Sequence, residues 1–251
     1  MLGLKNMDWH KRYLQQANWT RDLRNYIFEK TGLTRRSRVL EVGCGTGAIL
    51  SSLKTPVFGL DIALDSLKEA KIHTQNRDPL TCADALSLPF ADSSFEMVFC
   101  HFLLLWLPDP QQALGEMRRV TRAGGEIIAF AEPDYTRRID RPAELAELGK
   151  KQTEALRAQG ADPSLGANLA ALFRRVGIQV VEAGTLAQST RVSPSADERA
   201  LEWATLEVDL AGRVSDEYLQ KMKKIDQTAW ERGERQLHIP THYVWGRSGR
   251  K

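Results

Sequence analysis

The sequence has few of the features that mark metal-binding, secreted or membrane-spanning chains. Its three cysteines, Cys44, Cys82 and Cys100, are far apart and form no Cys-x-x-Cys pair, which argues against zinc and dithiol redox chemistry. We expect all three to be buried, reduced thiols. No apolar run approaches the roughly 18 residues of a membrane helix, and the first 12 residues lack a secretory signal. These absences predict a cytoplasmic protein with no membrane partner and no metal site.

Acidic and basic residues nearly balance. Lys and Arg number 35 against 32 Asp and Glu, and the formal net charge of +3 does not by itself indicate nucleic-acid binding. The chain is 42% hydrophobic and 27% charged, as in ordinary globular proteins, which argues against a disordered or fibrous class. Its 251 residues are enough for one α/β domain with a large core.

One stretch organises the chain: a short apolar strand that leads into three glycines spaced two apart. The strand is predicted at 39–42, Gly43, Gly45 and Gly47 follow, and the apolar run at 48–53 predicts a helix. Glycines at such a turn permit positive φ and let a ligand contact bare backbone, while the free N–H groups of a following helix favour an electron-rich group. The turn therefore predicts a nucleotide-like cofactor.

The spacing within this turn is compatible with two classes of cofactor. Gly43-x-Gly45-x-x-Ala48 satisfies the loose dinucleotide pattern, which is a weak signal when taken alone. The same residues also form Glu-x-Gly-x-Gly-x-Gly, with Glu41 two places before the first glycine, and this resembles the first motif of the class I S-adenosylmethionine-dependent methyltransferases. A carboxylate near the turn suits a cofactor with an ammonium group and a sulfonium centre, and it suits a pyrophosphate poorly.

Acidic residues also end the next two predicted strands. Asp61 ends the strand at 56–61, where a carboxylate can accept hydrogen bonds from both ribose hydroxyls of an adenosine, and Ile62 would then pack on the adenine. By the resemblance, Asp84 in the segment 80–85 accepts from the adenine amine. The full set predicted to hold S-adenosylmethionine is Glu41, Gly43, Cys44, Gly45, Gly47, Asp61, Ile62, Asp84, Ala85 and Cys100.

A longer stretch of sequence downstream of the glycines indicates one branch of this family. A fourth strand near 95–101, a helix with a basic Arg119-Val120 end, Gly124-Gly125 and a fifth strand at 126–131 follow one another. This succession resembles the methyltransferase type 11 branch, which includes quinone-biosynthesis methyltransferases, over about 33–132. The resemblance implies an α/β, Rossmann-like fold with a seven-stranded, mostly parallel sheet, helices on both faces and an added helical cap.

We expect one methyltransferase domain over 1–251. It consists of a helical preface at 1–32, a core at 33–186, a helical insertion at about 190–238 and a final strand at about 239–247. The insertion contains aromatic residues that could enclose a small acceptor as a lid or form a homodimer contact, and the sequence leaves both open.

The chemical class of the methyl acceptor is inferred mainly by excluding other classes. Cys100-His101-Phe102-Leu103 follow the fourth strand, where methyltransferases of exocyclic base amines and of glutamine have Asn/Asp-Pro-Pro-Tyr, and no Pro-Cys nucleophile is present for cytosine C5 chemistry. The remaining candidates for the methyl-accepting atom are an oxygen, a nitrogen or an activated carbon of a small molecule. His101 is the candidate catalytic residue, as a base that takes the acceptor's proton, or it shapes the cofactor pocket. Candidate substrate-binding residues are Tyr13, Trp19, Glu132 and Tyr135.

Three alternatives to this function differ in what they require of the sequence. A short-chain NAD(P)-dependent reductase needs Tyr-x-x-x-Lys downstream of the glycines, whereas that spacing occurs here at Tyr26 and Lys30, upstream of them. A regulatory subunit that binds the cofactor without turnover stays open, as does a tRNA or protein acceptor. The lack of an obvious catalytic dyad does not count against a methyltransferase, because methyl transfer from an activated donor mainly needs positioning and desolvation.

Overall fold

The computed structural model describes residues 7–186 and 194–249, so residues 1–6 of the predicted preface and 190–193 of the predicted insertion lie outside the described residues. Helices α1 to α8 are Trp9–Trp19, Arg21–Thr31, Leu64–His73, Pro110–Val120, Glu144–Ala158, Leu165–Arg175, Ala196–Asp209 and Asp216–Glu231. Strands β1 to β9 are Val39–Val42, Phe58–Asp61, Leu80–Cys82, Phe95–Cys100, Thr121–Pro133, Ile139–Arg141, Ile178–Thr185, Gln236–His238 and Thr241–Ser248.

A seven-stranded sheet forms the centre of the molecule, in the order β3-β2-β1-β4-β5-β9-β7. Strands β1 to β5 pair in parallel, and β9 runs antiparallel to both of its neighbours, β5 and β7. The predicted α/β fold with a mostly parallel sheet is confirmed. Because the order reverses at β1, the C-terminal ends of β1, β2 and β4 open a crevice where ligands bind in such sheets.

Helices cover both faces of the sheet, as predicted. On one face, α4 and α6 bury Leu114, Met117 and Phe173 against β4 and β5. On the other face, Phe28 of α2 packs edge-on against Phe99 and Phe130, at centroid distances of 5.5 and 5.2 Å. Burial on both faces explains why β1 is a continuous apolar run around Glu41 and not an alternating pattern.

Two local expectations were wrong, and one small sheet was not predicted. The predicted helix at 48–53 is absent, and a single 3₁₀ turn at Leu50–Ser52 takes its place. The hydroxyls of Ser51 and Ser52 donate to carbonyls three residues back, which competes with α-helical pairing in so short a segment. Cys82 is exposed because β3 lies at the sheet edge, and the described strands include a two-stranded sheet, β6-β8, that the sequence did not indicate.

Candidate active site

The glycine turn after β1 is held open by backbone conformation and by one carboxylate. Gly43, Gly45 and Gly47 have φ values of +74°, +51° and +77°, which side chains rarely tolerate. Asp61, at the tip of β2, accepts from the Gly45 N–H at 2.8 Å and from the Ala63 N–H at 2.9 Å. The carboxylate predicted to bind a ribose therefore also fixes the turn.

A cavity of about 370 Å³ lies against this turn, between α1, the loop after β4, α5 and α7. It brings together eight of the predicted residues from five separate parts of the chain. They are Tyr13, Glu41, Gly43, Cys44, Gly45, Asp61, His101 and Tyr135.

The other predicted cofactor residues lie outside the cavity lining. Ile62 is 70% exposed, and Asp84 is exposed with Oδ1 accepting from the Leu86 N–H at 2.8 Å. Ile62 follows β2, whereas Asp84 and Ala85 follow β3, and Ala85 is buried in the core. The role of these three residues in binding the cofactor stays a prediction. Gly47 instead packs against α3, and Cys100 is completely buried in the core, so neither reaches the cavity.

Two predicted substrate residues have other roles in the structure. Glu132 is fully buried, and its carboxylate accepts from the backbone N–H groups of residues 103–105 at 2.9–3.1 Å. It therefore shapes the loop after β4 and does not line the cavity. Trp19, the last residue of α1, points outward at 46% exposure and packs on Phe102. Neither side chain is placed to contact an acceptor in the cavity.

Glu41 is the strongest electrostatic feature of the cavity wall. It is 2% exposed, and its Oε2 is buried without a hydrogen-bond partner. Burial raises the pKa of Glu41 well above its usual value, while the nearby guanidinium of Arg24 opposes that rise. An acceptor atom left unpaired in this way is costly unless a ligand supplies a donor. The ammonium group of S-adenosylmethionine would be such a donor, so Glu41 fits the cofactor.

Helix α1 covers the glycine turn and is fastened on two sides. His10 Nδ1 lies 2.8 Å from Thr46 Oγ1, and its ring stacks on that of His73 from α3 at a centroid distance of 3.4 Å. On the other side, Arg12 pairs with Glu202 of α7. Tyr13, between them, lies 3.5 Å from the position that a Cβ on Gly45 would occupy. The predicted preface thus forms one wall of the cavity.

His101 stands at the end of β4 in a network that keeps it neutral. Its Nε2 lies 2.9 Å from Thr20 Oγ1, and Thr20 also accepts from Arg24. Burial, and to a smaller extent the charge of Arg24, lowers the pKa of His101 well below 6.5. The imidazole is therefore unprotonated at neutral pH and keeps one basic nitrogen.

Several lining residues were missed by sequence reasoning. They come mostly from α1, α5 and α7, outside the recognisable motifs, and from the loop after β4: Trp9, Arg12, Gln16, Phe102, Leu103, Trp106, Leu156, Gln159, Thr205, Val208 and Asp209. For α1 a signal existed, because residues 9, 12, 13 and 16 share one helical face with the predicted Tyr13. For α5 and α7 no pattern in the sequence indicated which side faces the crevice.

Comparisons with known proteins agree with this geometry. The family model described as "Methyltransferase domain" matches residues 40–129, from β1 into β5. A demethylmenaquinone methyltransferase from Renibacterium salmoninarum is 36% identical over 121 residues, covering 46% of this chain and 51% of that protein. A malonyl-[acyl-carrier protein] O-methyltransferase from Halorhodospira halophila is 30% identical over 168 residues, covering 58% and 57%. The chain thus spans about half the length of these curated relatives.

Solved structures share the fold at low identity. An S-adenosylmethionine-dependent methyltransferase from Thermotoga maritima superposes with a TM-score of 0.54 at 17% identity, covering 95% of both chains. The [4+2]-cyclase SpnF superposes with a TM-score of 0.57 at 18% identity, covering 92% of this chain and 82% of that one. Within 7–186 and 194–249, no helix is long and apolar enough to cross a membrane, and no His, Cys, Asp and Glu cluster suits a metal ion.

Proposed function

Because the chain belongs to the class I S-adenosylmethionine-dependent methyltransferases, in the type 11 branch, we propose that it transfers the methyl group of S-adenosylmethionine to a small-molecule acceptor. The observation that carries the proposal is the glycine turn with the unpaired Glu41 on one side and Asp61 on the other. When bound, the cofactor supplies a methyl group on a sulfonium, which a nucleophile displaces in line. The residues around it bind, orient and exclude water.

The size of the cavity supports a small acceptor. At about 370 Å³ it is near the lower end of ligand pockets, and part of it is needed for the cofactor beside Glu41 and Gly45. Trp9 and Trp106, each about 40% exposed, line it where it meets solvent. A tRNA or protein acceptor would have to insert one narrow group past these rings, so we favour a metabolite.

The contacts of the predicted insertion favour a role as a lid over a role as a homodimer contact. Helix α7 lines the cavity through Thr205, Val208 and Asp209. Trp203 on the same helix is 6% exposed and donates from Nε1 to Asp226 at 2.8 Å, so this aromatic packs inward. We therefore assign the insertion to enclosing the acceptor. The homodimer, the single domain and the cytoplasmic location stay predictions.

We assign His101 the role of accepting the proton that the acceptor loses. Thr20 Oγ1 donates to the Ala17 carbonyl at 3.2 Å and accepts from Arg24, so its remaining lone pair favours an Nε2–H of His101. Nδ1 is then the basic nitrogen, and the described residues provide no partner for it. Tyr135 is unsuited to this role, because burial raises its pKa to about 12 and keeps the phenol protonated.

A binding measurement tests the proposed function without knowledge of the acceptor. Calorimetry is expected to show a complex with S-adenosylhomocysteine and none with NADPH, because Glu41 faces the site that a pyrophosphate would need. Binding of NADPH in place of S-adenosylhomocysteine would reject the proposal. Binding of S-adenosylhomocysteine without methyl transfer to any acceptor would favour the regulatory subunit, an outcome the fold allows since SpnF is described as a cyclase.

The charge state of His101 makes a second prediction. Its pKa is lower in the folded protein than in the unfolded chain, so its stabilising effect is complete above pH 6.5 and is lost as the pH falls below that value. In urea titrations, the wild type should lose more free energy of unfolding between pH 6.5 and 5 than His101→Asn. His10→Asn, at a partly exposed ring, should change this loss less. Equal losses in wild type and His101→Asn would contradict a neutral His101.

A further inference from the structure

The guanidinium of Arg12 is buried beside the cavity, and three of its five N–H donors are unused within the described part of the chain. Arg12 is 6% exposed and lines the cavity from α1. Its Nη1 donates to Gln15 Oε1 at 2.7 Å and to Glu202 Oε1 at 2.5 Å. Its Nε is buried without a partner, and neither Nε nor Nη2 bonds to any residue that the structure describes. The Nε–Nη2 edge of a guanidinium presents two parallel N–H groups that match a carboxylate.

The groups around Arg12 decide what kind of molecule this edge can take. Glu202 and Asp209 place two carboxylates near this guanidinium, and the charge of Arg138 also acts on Asp209, so a ligand here meets charges of both signs. Asp209 is 8% exposed, lines the cavity and accepts from Gln152 Nε2 at 2.7 Å, but it forms no ion pair within the described chain. A ligand that carries both an anionic group and a hydrogen-bond donor satisfies both residues.

We propose that Arg12 binds a carboxylate of the methyl acceptor, so that the acceptor is a small carboxylic acid with an amine or hydroxyl group facing Asp209. This inference rests on the proposed function. Tyr135, which is half-buried, also lines the cavity, and the charges of Arg12 and Asp209 both act on its phenol, which is a further hydrogen-bond donor. The remaining wall is apolar, with Leu105, Trp106, Leu156 and Val208, and suits a hydrocarbon or aromatic body.

Matched acids and esters test this assignment. The probes are L-tyrosine, 3-(4-hydroxyphenyl)propionate and the methyl ester of each, titrated calorimetrically into the protein saturated with S-adenosylhomocysteine. At least one acid should bind roughly tenfold or more tightly than its ester, as expected for a charge-assisted bidentate contact. Arg12→Gln should abolish that difference. Binding of the esters as tight as that of the acids, no binding by either acid, or an unchanged preference in Arg12→Gln would overturn the proposal.

A second variant tests the same contact in case Arg12→Gln does not fold. Arg12→Lys keeps a positive charge that can pair with Glu202 but lacks the planar edge, so it should remain folded by circular dichroism and still lose the preference for acids. Loss of folding in Arg12→Gln would then not hide the result. An unchanged preference in Arg12→Lys would overturn the bidentate contact.

The cofactor has a carboxylate of its own, which could also be the partner of Arg12. A further comparison distinguishes the carboxylate of the cofactor from that of the acceptor. If Arg12 serves the acceptor, Arg12→Gln should change the binding of S-adenosylhomocysteine and of 5′-methylthioadenosine, which lacks the amino-acid part, to the same extent, because any loosening of α1 affects both ligands alike. Weaker binding of S-adenosylhomocysteine alone would assign the edge to the cofactor and overturn the proposal while sparing the proposed function. Failure of the wild type to bind S-adenosylhomocysteine would instead remove the proposed function and this inference with it.

Discussion

Asp61→Ala is expected to weaken the binding of S-adenosylhomocysteine by roughly 10- to 150-fold. The carboxylate is predicted to accept from the ribose hydroxyls, and a hydrogen bond to a charged group contributes about 1.5–3 kcal/mol. The same carboxylate holds the N–H groups of Gly45 and Ala63, so its removal also loosens the turn on which the ligand rests. Isothermal titration calorimetry of the variant and the wild type measures the change directly.

Asp65→Ala provides the matched control for this prediction. Asp65 lies four residues further along, in the first turn of α3, and pairs only with Lys68 on the exposed surface within the described chain. Its removal should leave the dissociation constant unchanged. If Asp61→Ala binds S-adenosylhomocysteine as tightly as the wild type while Asp65→Ala behaves as expected, Asp61 has no part in holding the cofactor.

The cofactor side of the site could be predicted because it depends on local patterns. Parallel strands bring their C-terminal ends to one edge of the sheet, so acids that follow successive strands must lie near one another. Asp61 was found in this way, Glu41 was found from its position two residues before the first glycine, and both line the cavity. The hydrogen bond from the Gly45 N–H to Asp61 could not be predicted from the sequence, because it depends on the turn conformation and not on residue type.

The acceptor side could not be predicted to the same extent, since it is built by contacts between distant parts of the chain. Arg12 and Glu202 meet across 190 positions, and Arg12 reads in the sequence as one of many basic helix residues. Likewise, Glu132 follows an apolar strand at the ligand-binding edge, which made a substrate role reasonable. Its actual partners are backbone N–H groups, and backbone groups leave no trace in a sequence pattern.

Glu132→Ala should lower the free energy of unfolding by at least about 3 kcal/mol, the largest stability change that we expect from one substitution. The variant leaves the N–H groups of Leu103, Leu104 and Leu105 without their acceptor, the last two of them buried, and each buried orphaned donor costs about 1–3 kcal/mol. Burial raises the pKa of Glu132 to about 7, while these three donors act in the opposite direction. Urea denaturation monitored by circular dichroism measures the loss.

Two further variants separate this role from a general effect of removing a carboxylate. Glu154→Ala removes an exposed glutamate on α5 and should change the free energy of unfolding by no more than about 0.5 kcal/mol. Glu132→Gln keeps one oxygen as an acceptor but turns an amide N–H₂ toward a backbone donor, so its stability should fall between those of Glu132→Ala and the wild type. Because the loop at 103–105 lines the cavity at Leu103 and Leu105, Glu132→Gln should also weaken S-adenosylhomocysteine binding. A Glu132→Ala protein as stable as Glu154→Ala would show that water or a rearranged loop satisfies the three donors, and the carboxylate would then not be what holds this wall of the site.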